Sequence, residues 1–242
     1  GLAVWDMAKY LLVAGHYRYP VPPEPITPIW KRVLARVEMV QRVNEARRTK
    51  GKKAHKAYEL KIYLREIEPP IWRQVLVTDS TTLAELHWII QLSFGWTNSH
   101  LHQFIIDGSH YSDPEFELDE EGDDDVLDEQ RVTLKKVIAG EQDQFVYEYD
   151  FGDSWRHKII VEKVLPLDEG VIYPYCIAGE RACPPEDCGG APGYENFLAV
   201  ISDPSHPEHK EMMEWVGGIF DPQRCNLKAI NWQLKRLFTI SS

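Results

Sequence analysis

The sequence predicts an α+β fold: a mixed or antiparallel sheet of hairpins packed against helices, with an N-terminal helical extension. Three observations carry this expectation. β-Prone runs come in neighbouring pairs, Tyr58 to Glu66 with Ile71 to Thr78 and Phe145 to Asp150 with Trp155 to Val164, each pair split by a proline or Gly-Asp turn. A helical stripe with its own start and stop signals lies between the pairs, and the last third of the chain returns to helical spacing. With 242 residues and 43% hydrophobic content, the chain has enough apolar surface for a buried core.

Residues 1–19 carry a short apolar helical pattern, ended by Pro20, Pro22, Pro23, Pro25 and Pro28. A second pattern places Trp30, Val33, Leu34, Val37, Val40 and Val43 on one face, with Lys31, Arg32, Arg36, Arg42, Arg47 and Arg48 mostly on others. Lys50, Lys52, Lys53 and Lys56 continue the basic character through a glycine-containing tract. This basic arm over 31–56 can contact phosphates; the plainer reading is a solvated linker. A boundary near residue 57 separates a helical extension and basic linker over 1–56 from an α+β domain over 57–242.

In YELKIYLRE, Tyr58, Leu60, Ile62 and Leu64 alternate onto one face, and IWRQVLVT after Pro69-Pro70 supplies the paired strand. In TTLAELHWIIQLSFGW, Thr82 and Glu85 make a capping box, Leu83, Leu86, Ile89, Ile90 and Phe94 the buried stripe, and Gly95 the stop. His87 on this helix reads as a partly buried structural histidine. SHLHQFIID is a further strand, on which His100 and His102, two apart, share a face. Two such imidazoles can hold one metal ion, and hydrogen-bonded surface histidines share the same spacing. Gln103 to Ile106 follow where a cupin would carry a glutamate, which excludes that fold.

The net charge of −11 is concentrated: residues 107–130 hold twelve of the 38 acids and no Lys or Arg, leaving the remainder close to neutral. DEEGDDDVLDE lacks the alternating ligands and bidentate glutamate of a calcium loop. The stretch at about 107–130 is therefore expected to be a disordered, solvated acidic loop.

YEYDFGDSWRH forms the central hairpin. With Gly152 and Asp153 as the two middle turn residues, Asp150 faces Trp155, Glu148 faces His157 and Val146 faces Ile159. Glu148, Asp150 and His157 are then expected on one side of the ribbon, with Asp153 in the turn. The DFG triplet at 150–152 has no kinase context: a histidine-arginine-aspartate loop, a glycine-rich phosphate loop and the strand lysine are all missing. Serine and tyrosine recombinase motifs are also missing.

Beyond the hairpin, Cys176, Cys183 and Cys188 cluster in a Pro- and Gly-rich stretch. Together with His157, His100 or His102 they are candidate ligands of a tetrahedral zinc ion; the opposing reading is buried reduced cysteines. Helices are expected at 194–201, 206–215 and 227–238. No run of about 18 apolar residues suggests a membrane span, and the opening residues lack the order of a signal peptide, so the expectation is a cytoplasmic protein without a membrane partner.

Taken together, YELKIYLREIEPPIWRQVLV, TLAELHWIIQLSFGWTNSHLHQF, YEYDFGDSWRH, CIAGERACPPEDCGGAPGYENF and FDPQ resemble the plasmid pRiA4b ORF-3-like family over about residues 57 to 238. The resemblance implies a compact α+β domain of bacteria and archaea, sometimes encoded on plasmids or beside insertion-sequence transposases, with no established activity. The family's shared polar positions fall here on His100, His102, Asp150, Asp153, His157, Cys176, Cys183, Glu186, Asp187 and Cys188. Cys225-Asn226 departs from the family's aromatic and acid, so that turn is expected to pack differently.

Two functional readings follow. One is a non-catalytic binding or accessory module of a plasmid or mobile element, whose partner is nucleic acid through the 31–56 arm or another protein. The other is a metal-dependent zinc enzyme, such as a hydrolase, using His100, His102, Asp150 and His157 as ligands or general base. The first is preferred because a recognised nucleophile-and-base set is missing from the sequence.

Overall fold

The computed structural model of the protein describes residues 54–116 and 126–239. The expected N-terminal helices, all but the end of the basic arm and the centre of the acidic stretch lie outside the described residues. One sheet contains β1 (Lys56–Leu64), β2 (Ile71–Thr78), β3 (His102–Ile106), β4 (Ser109–Ser112), β5 (Leu127–Asp128), β6 (Gln144–Tyr149), β7 (Trp155–Pro166) and β8 (Tyr175–Glu180). The spatial order is β5-β4-β3-β6-β7-β1-β2-β8, and all neighbours are antiparallel except β4 with β5. Helices α1 (Leu83–Phe94), α2 (Leu134–Val137), α3 (Gly190–Ser202), α4 (His209–Trp215) and α5 (Leu227–Thr239) share a hydrophobic core with the sheet, giving the expected α+β class.

β1 and β2 pair as expected around the proline turn, from Leu64 opposite Ile71 to Ala57 opposite Thr78. β2 alternates strictly, with Ile71, Arg73, Val75 and Val77 turned inward. The buried Arg73 guanidinium is satisfied by carbonyls: it donates to Ser93, Trp72, Glu180 and Arg181 at 2.8 Å each. A cation at the last turn of α1 also meets the negative end of the helix dipole, so one side chain ties β2, α1 and β8 together.

Helix α1 begins and ends as its sequence requires. Thr82 and Glu85 close a reciprocal capping box, and Gly95 stops the helix with φ of 91°. All of its residues are buried, His87 included, because sheet residues cover one side while α5 and a 3-10 turn at Glu129–Arg131 cover another. The outer edge of β8 is closed by α5: Cys176 N–H donates to Asn231 Oδ1 at 2.7 Å, and Asn231 Nδ2 donates to Cys176 O at 2.8 Å. That side-chain amide occupies backbone groups a further strand would otherwise pair with.

Both flanks of the acidic stretch are folded. Of the expected loop at 107–130, only 117–125 lies outside the described residues; the flanks form β4, β5 and two 3-10 turns. Specific contacts overcome charge there: Ser112 Oγ donates to His102 O at 2.6 Å, and Glu129 is buried against His102. In the last third, the expected helices appear with earlier or later starts, α3 from Gly190 and α4 from His209.

Candidate functional site

The central hairpin forms one residue away from the expected register. Tyr149 pairs with Trp155, Glu148 with Arg156 and Tyr147 with His157. Asp150 is the cause. It leaves the strand with φ of 58°, and its Oδ1 accepts from Gly152 N–H at 3.0 Å and Asp153 N–H at 3.3 Å. Ser154, with φ of 53°, closes the loop by donating its N–H to Asp150 O at 2.6 Å. The loop thus runs over 150–154, and a one-residue shift turns every following side chain to the other face.

That shift dissolves the expected Glu148, Asp150 and His157 face. Glu148 lies on the outer face, where Gln103 Nε2 at 2.8 Å, Arg156 Nε at 3.0 Å and Ser154 Oγ at 3.0 Å donate to it. Burial raises its pKa, but those three donors outweigh it and hold the carboxyl below the usual range. His157 turns inward and is fully buried, edge-on to Phe94 and Trp96, with Nδ1 donating to Trp155 O at 3.1 Å. Burial lowers its pKa to about 3, against the opposing backbone hydrogen bonds, so the folded protein holds this ring neutral.

His100 and His102 also part company. β3 begins at His102, which is buried, stacks on His87 with ring centroids 3.5 Å apart, and places Nε2 2.9 Å from Glu129 Oε2. His100 precedes the strand and stays near the surface. The cysteines do not gather into the expected zinc site either. Cys176 is buried against Arg73 and Cys225, while Cys183 and Cys188 sit on the loop that follows. Burial pushes Cys176 up to about 11 and Cys183 well above its ordinary value. His157 packs instead against the rings of Phe94, Trp96 and Tyr147.

What the structure does assemble is His100 with Asp150 and Asp187. His100 Nε2 lies 3.0 Å from Asp187 Oδ1 and 3.5 Å from Asp150 Oδ2. Among the described residues, these are the group whose nitrogen and carboxylate oxygens all fall within 4.8 Å of one another. Three loops carry them: 96–101, 150–154 and 183–190. Their seating is built from Glu186, which accepts from Tyr149 Oη at 2.5 Å, Thr97 N–H at 3.2 Å and the Thr97 hydroxyl. Burial and then the Glu186 carboxylate raise the Tyr149 phenol far above its ordinary range, so it remains a donor.

Asp153 does not join the cluster; it anchors the neighbouring loop, accepting from Gly189 N–H at 3.1 Å. A Cβ on Gly190 would stand 2.7 Å from Asp153 O, and the residue has φ of 68°, so glycine is what lets the loop close on the hairpin. Cys188 lies in the same corner, where burial first and then Asp153, Asp187 and Asp150 push its thiol up to about 12. Thr97 and Ser99 hydroxyls bond each other at 2.8 Å. The cluster therefore offers cation ligands and a proton acceptor more readily than an activated nucleophile. Its pairing of Asp187 with His100, and the role of Tyr149 and Thr97 in seating Glu186, have no local signal; only the family resemblance had marked Glu186 and Asp187.

Fold and site define a class: an α+β domain built on one eight-stranded sheet, with a small histidine-carboxylate cluster on loops beside its central hairpin. The chain belongs to the plasmid pRiA4b ORF-3-like family, which it matches over residues 56–229. An uncharacterized protein, y4hQ, of Sinorhizobium fredii (strain NBRC 101917 / NGR234) is 37% identical over 174 residues, covering 71% of this chain and 87% of that protein. A crystal structure of a protein of unknown function, MM3350 from Methanosarcina mazei Go1, aligns with a TM-score of 0.65 and 36% identity, covering 73% of this chain and 98% of that one. Among the described residues no helix is long and apolar enough to cross a membrane.

Proposed function

We propose that this chain is a non-catalytic binding module acting as a cytoplasmic accessory factor in a plasmid or mobile-element setting. The observation that carries the reading is the burial of His102 and His157 in the core, one ring nitrogen of each held by a protein partner, which speaks against their use in a hydrolytic set. The zinc-hydrolase alternative needed both of them at one solvent-reached point.

Charge supports a basic protein surface as the domain's partner. Residues 57–242 carry 15 Lys and Arg against 34 Asp and Glu, while 1–56 carry 12 against 4. A domain this acidic repels a phosphate backbone and attracts a basic protein surface; nucleic acid is left to the 31–56 arm. Fluorescence anisotropy of the full chain with a labelled basic peptide and with a labelled DNA duplex tests the assignment. The peptide is expected to bind with an affinity that falls steeply with salt, and the duplex to bind only while Lys50, Lys52, Lys53 and Lys56 are intact. Duplex binding that survives replacing those four lysines by Gln, or absence of peptide binding in low salt, overturns the partner assignment.

A further inference from the structure

We infer that His100, Asp150 and Asp187 form a binding site for one divalent transition-metal ion of the zinc or cobalt type, held by an imidazole nitrogen and two carboxylate oxygens. The inference goes beyond the partner reading and does not depend on it. Ligands about 2.1 Å from a tetrahedral ion stand about 3.4 Å from one another. The His100 Nε2 separations of 3.0 Å and 3.5 Å from the two carboxylates fall on either side of that spacing.

Hydrogen bonding supplies an independent observation. His100 Nε2 is a buried nitrogen that makes no hydrogen bond, although two carboxylates lie beside it. Asp150 adds to this: its side chain is 10% exposed, and its Oδ1 is occupied by the Gly152 and Asp153 N–H groups. Oδ2 is left facing His100. Two carboxylates converging on an imidazole nitrogen repel one another unless a positive charge lies between them. A metal ion supplies that charge and uses the nitrogen lone pair directly.

The donor set selects the ion. Imidazole nitrogen with carboxylate suits zinc, cobalt or manganese, whereas calcium and magnesium prefer an all-oxygen shell. Asp187 is 70% exposed, so the coordination positions on its side stay open to water or to a group from a partner. The oxygen-only acidic stretch at 117–125 is the competing binder within the same chain.

The test is a titration of the full chain, stripped with a chelator, by cobalt followed in the visible spectrum and by zinc followed calorimetrically. The expected result is one ion per chain, not displaced by excess calcium or magnesium. His100→Gln and Asp187→Asn should each weaken binding by roughly tenfold or more. Asparagine tolerates the φ of 61° at position 187, so Asp187→Asn is expected to melt like the wild-type protein in chelator. The variant Asp123→Asn/Asp124→Asn/Asp125→Asn should bind with unchanged affinity. No binding, binding that persists in both cluster variants, or binding lost with the acidic-stretch variant overturns the proposal.

Discussion

His100 and His102 are two residues apart, yet they belong to regions governed by opposite physics. His102 is sealed between the sheet and α1 with His87, Tyr147 and Glu129; its partners are fixed and water is excluded. His100 stands on a loop beside Asp150 and Asp187, its side chain 27% exposed, with neighbours that answer to one another rather than to the core. In the first region an unpaired charge is expensive, so the polar groups maintain the fold. In the second, His100 is partly and Asp187 largely exposed, so solvent reaches the cluster from one side and the same residue types are free to serve a ligand. Residue type alone therefore does not separate structural from functional histidines; burial does.

The largest effect should come from breaking the sealed side. Glu129→Ala removes the hydrogen-bond partner of buried His102 Nε2 and should cost about 3 kcal/mol in urea unfolding at neutral pH. A loss below about 1 kcal/mol would remove this cluster from the structural class.

His157 should give the sealed region a pH signature. Its folded pKa is depressed to about 3, while the unfolded ring titrates near 6.5, so between those values the unfolded state binds the extra proton. Stability is fully present above about pH 6.5 and is lost as pH falls toward about 3, by up to about 1.4 kcal/mol per unit from this group. His157→Asn, which keeps a donor toward Trp155 O, should abolish that component. Subtracting the variant's unfolding free energies from those of wild type across this range should leave the slope; a flat difference would contradict a neutral buried ring.

Between the two regions lies the seat of the 183–190 loop. Tyr149→Phe loses the hydroxyl that donates to Glu186 and accepts from Ser99 N–H, at an expected cost of about 2 kcal/mol. Hydrogen exchange should show the loss concentrated in residues 183–190, and a uniform change across the sheet would argue against a local seat. The smallest effect belongs to the surface cluster: without added metal, Asp187→Asn should change stability by no more than about 0.5 kcal/mol in the same unfolding assay. A cost of about 2 kcal/mol would make Asp187 a structural residue and erase the contrast with Glu129.

Much of the framework was legible locally. Thr82, Glu85 and Gly95 mark both ends of α1 by hydrogen bonds within a single turn, and the alternation of β1 and β2 states which face is buried. The site was legible only in part. His100 and Asp150 stood out as chemistry-bearing residues, but their grouping with Asp187 depends on loops that approach from 37 residues apart in sequence, between positions 150 and 187. The hairpin register failed for a related reason: Asp150 spends its side chain capping the loop, and the Gly-Asp pair by itself does not disclose which residue leaves the ladder first.

By itself the sequence determined the α+β class, the pairing of neighbouring strands and the position of the first helix, because periodicity, caps and turns act over a few residues. The tertiary structure decided which histidines are sealed, where the cysteines separate and which carboxylates meet His100. Those outcomes follow from register and from long-range loop docking, where a shift of one residue exchanges the buried and solvent-facing sides of the chain.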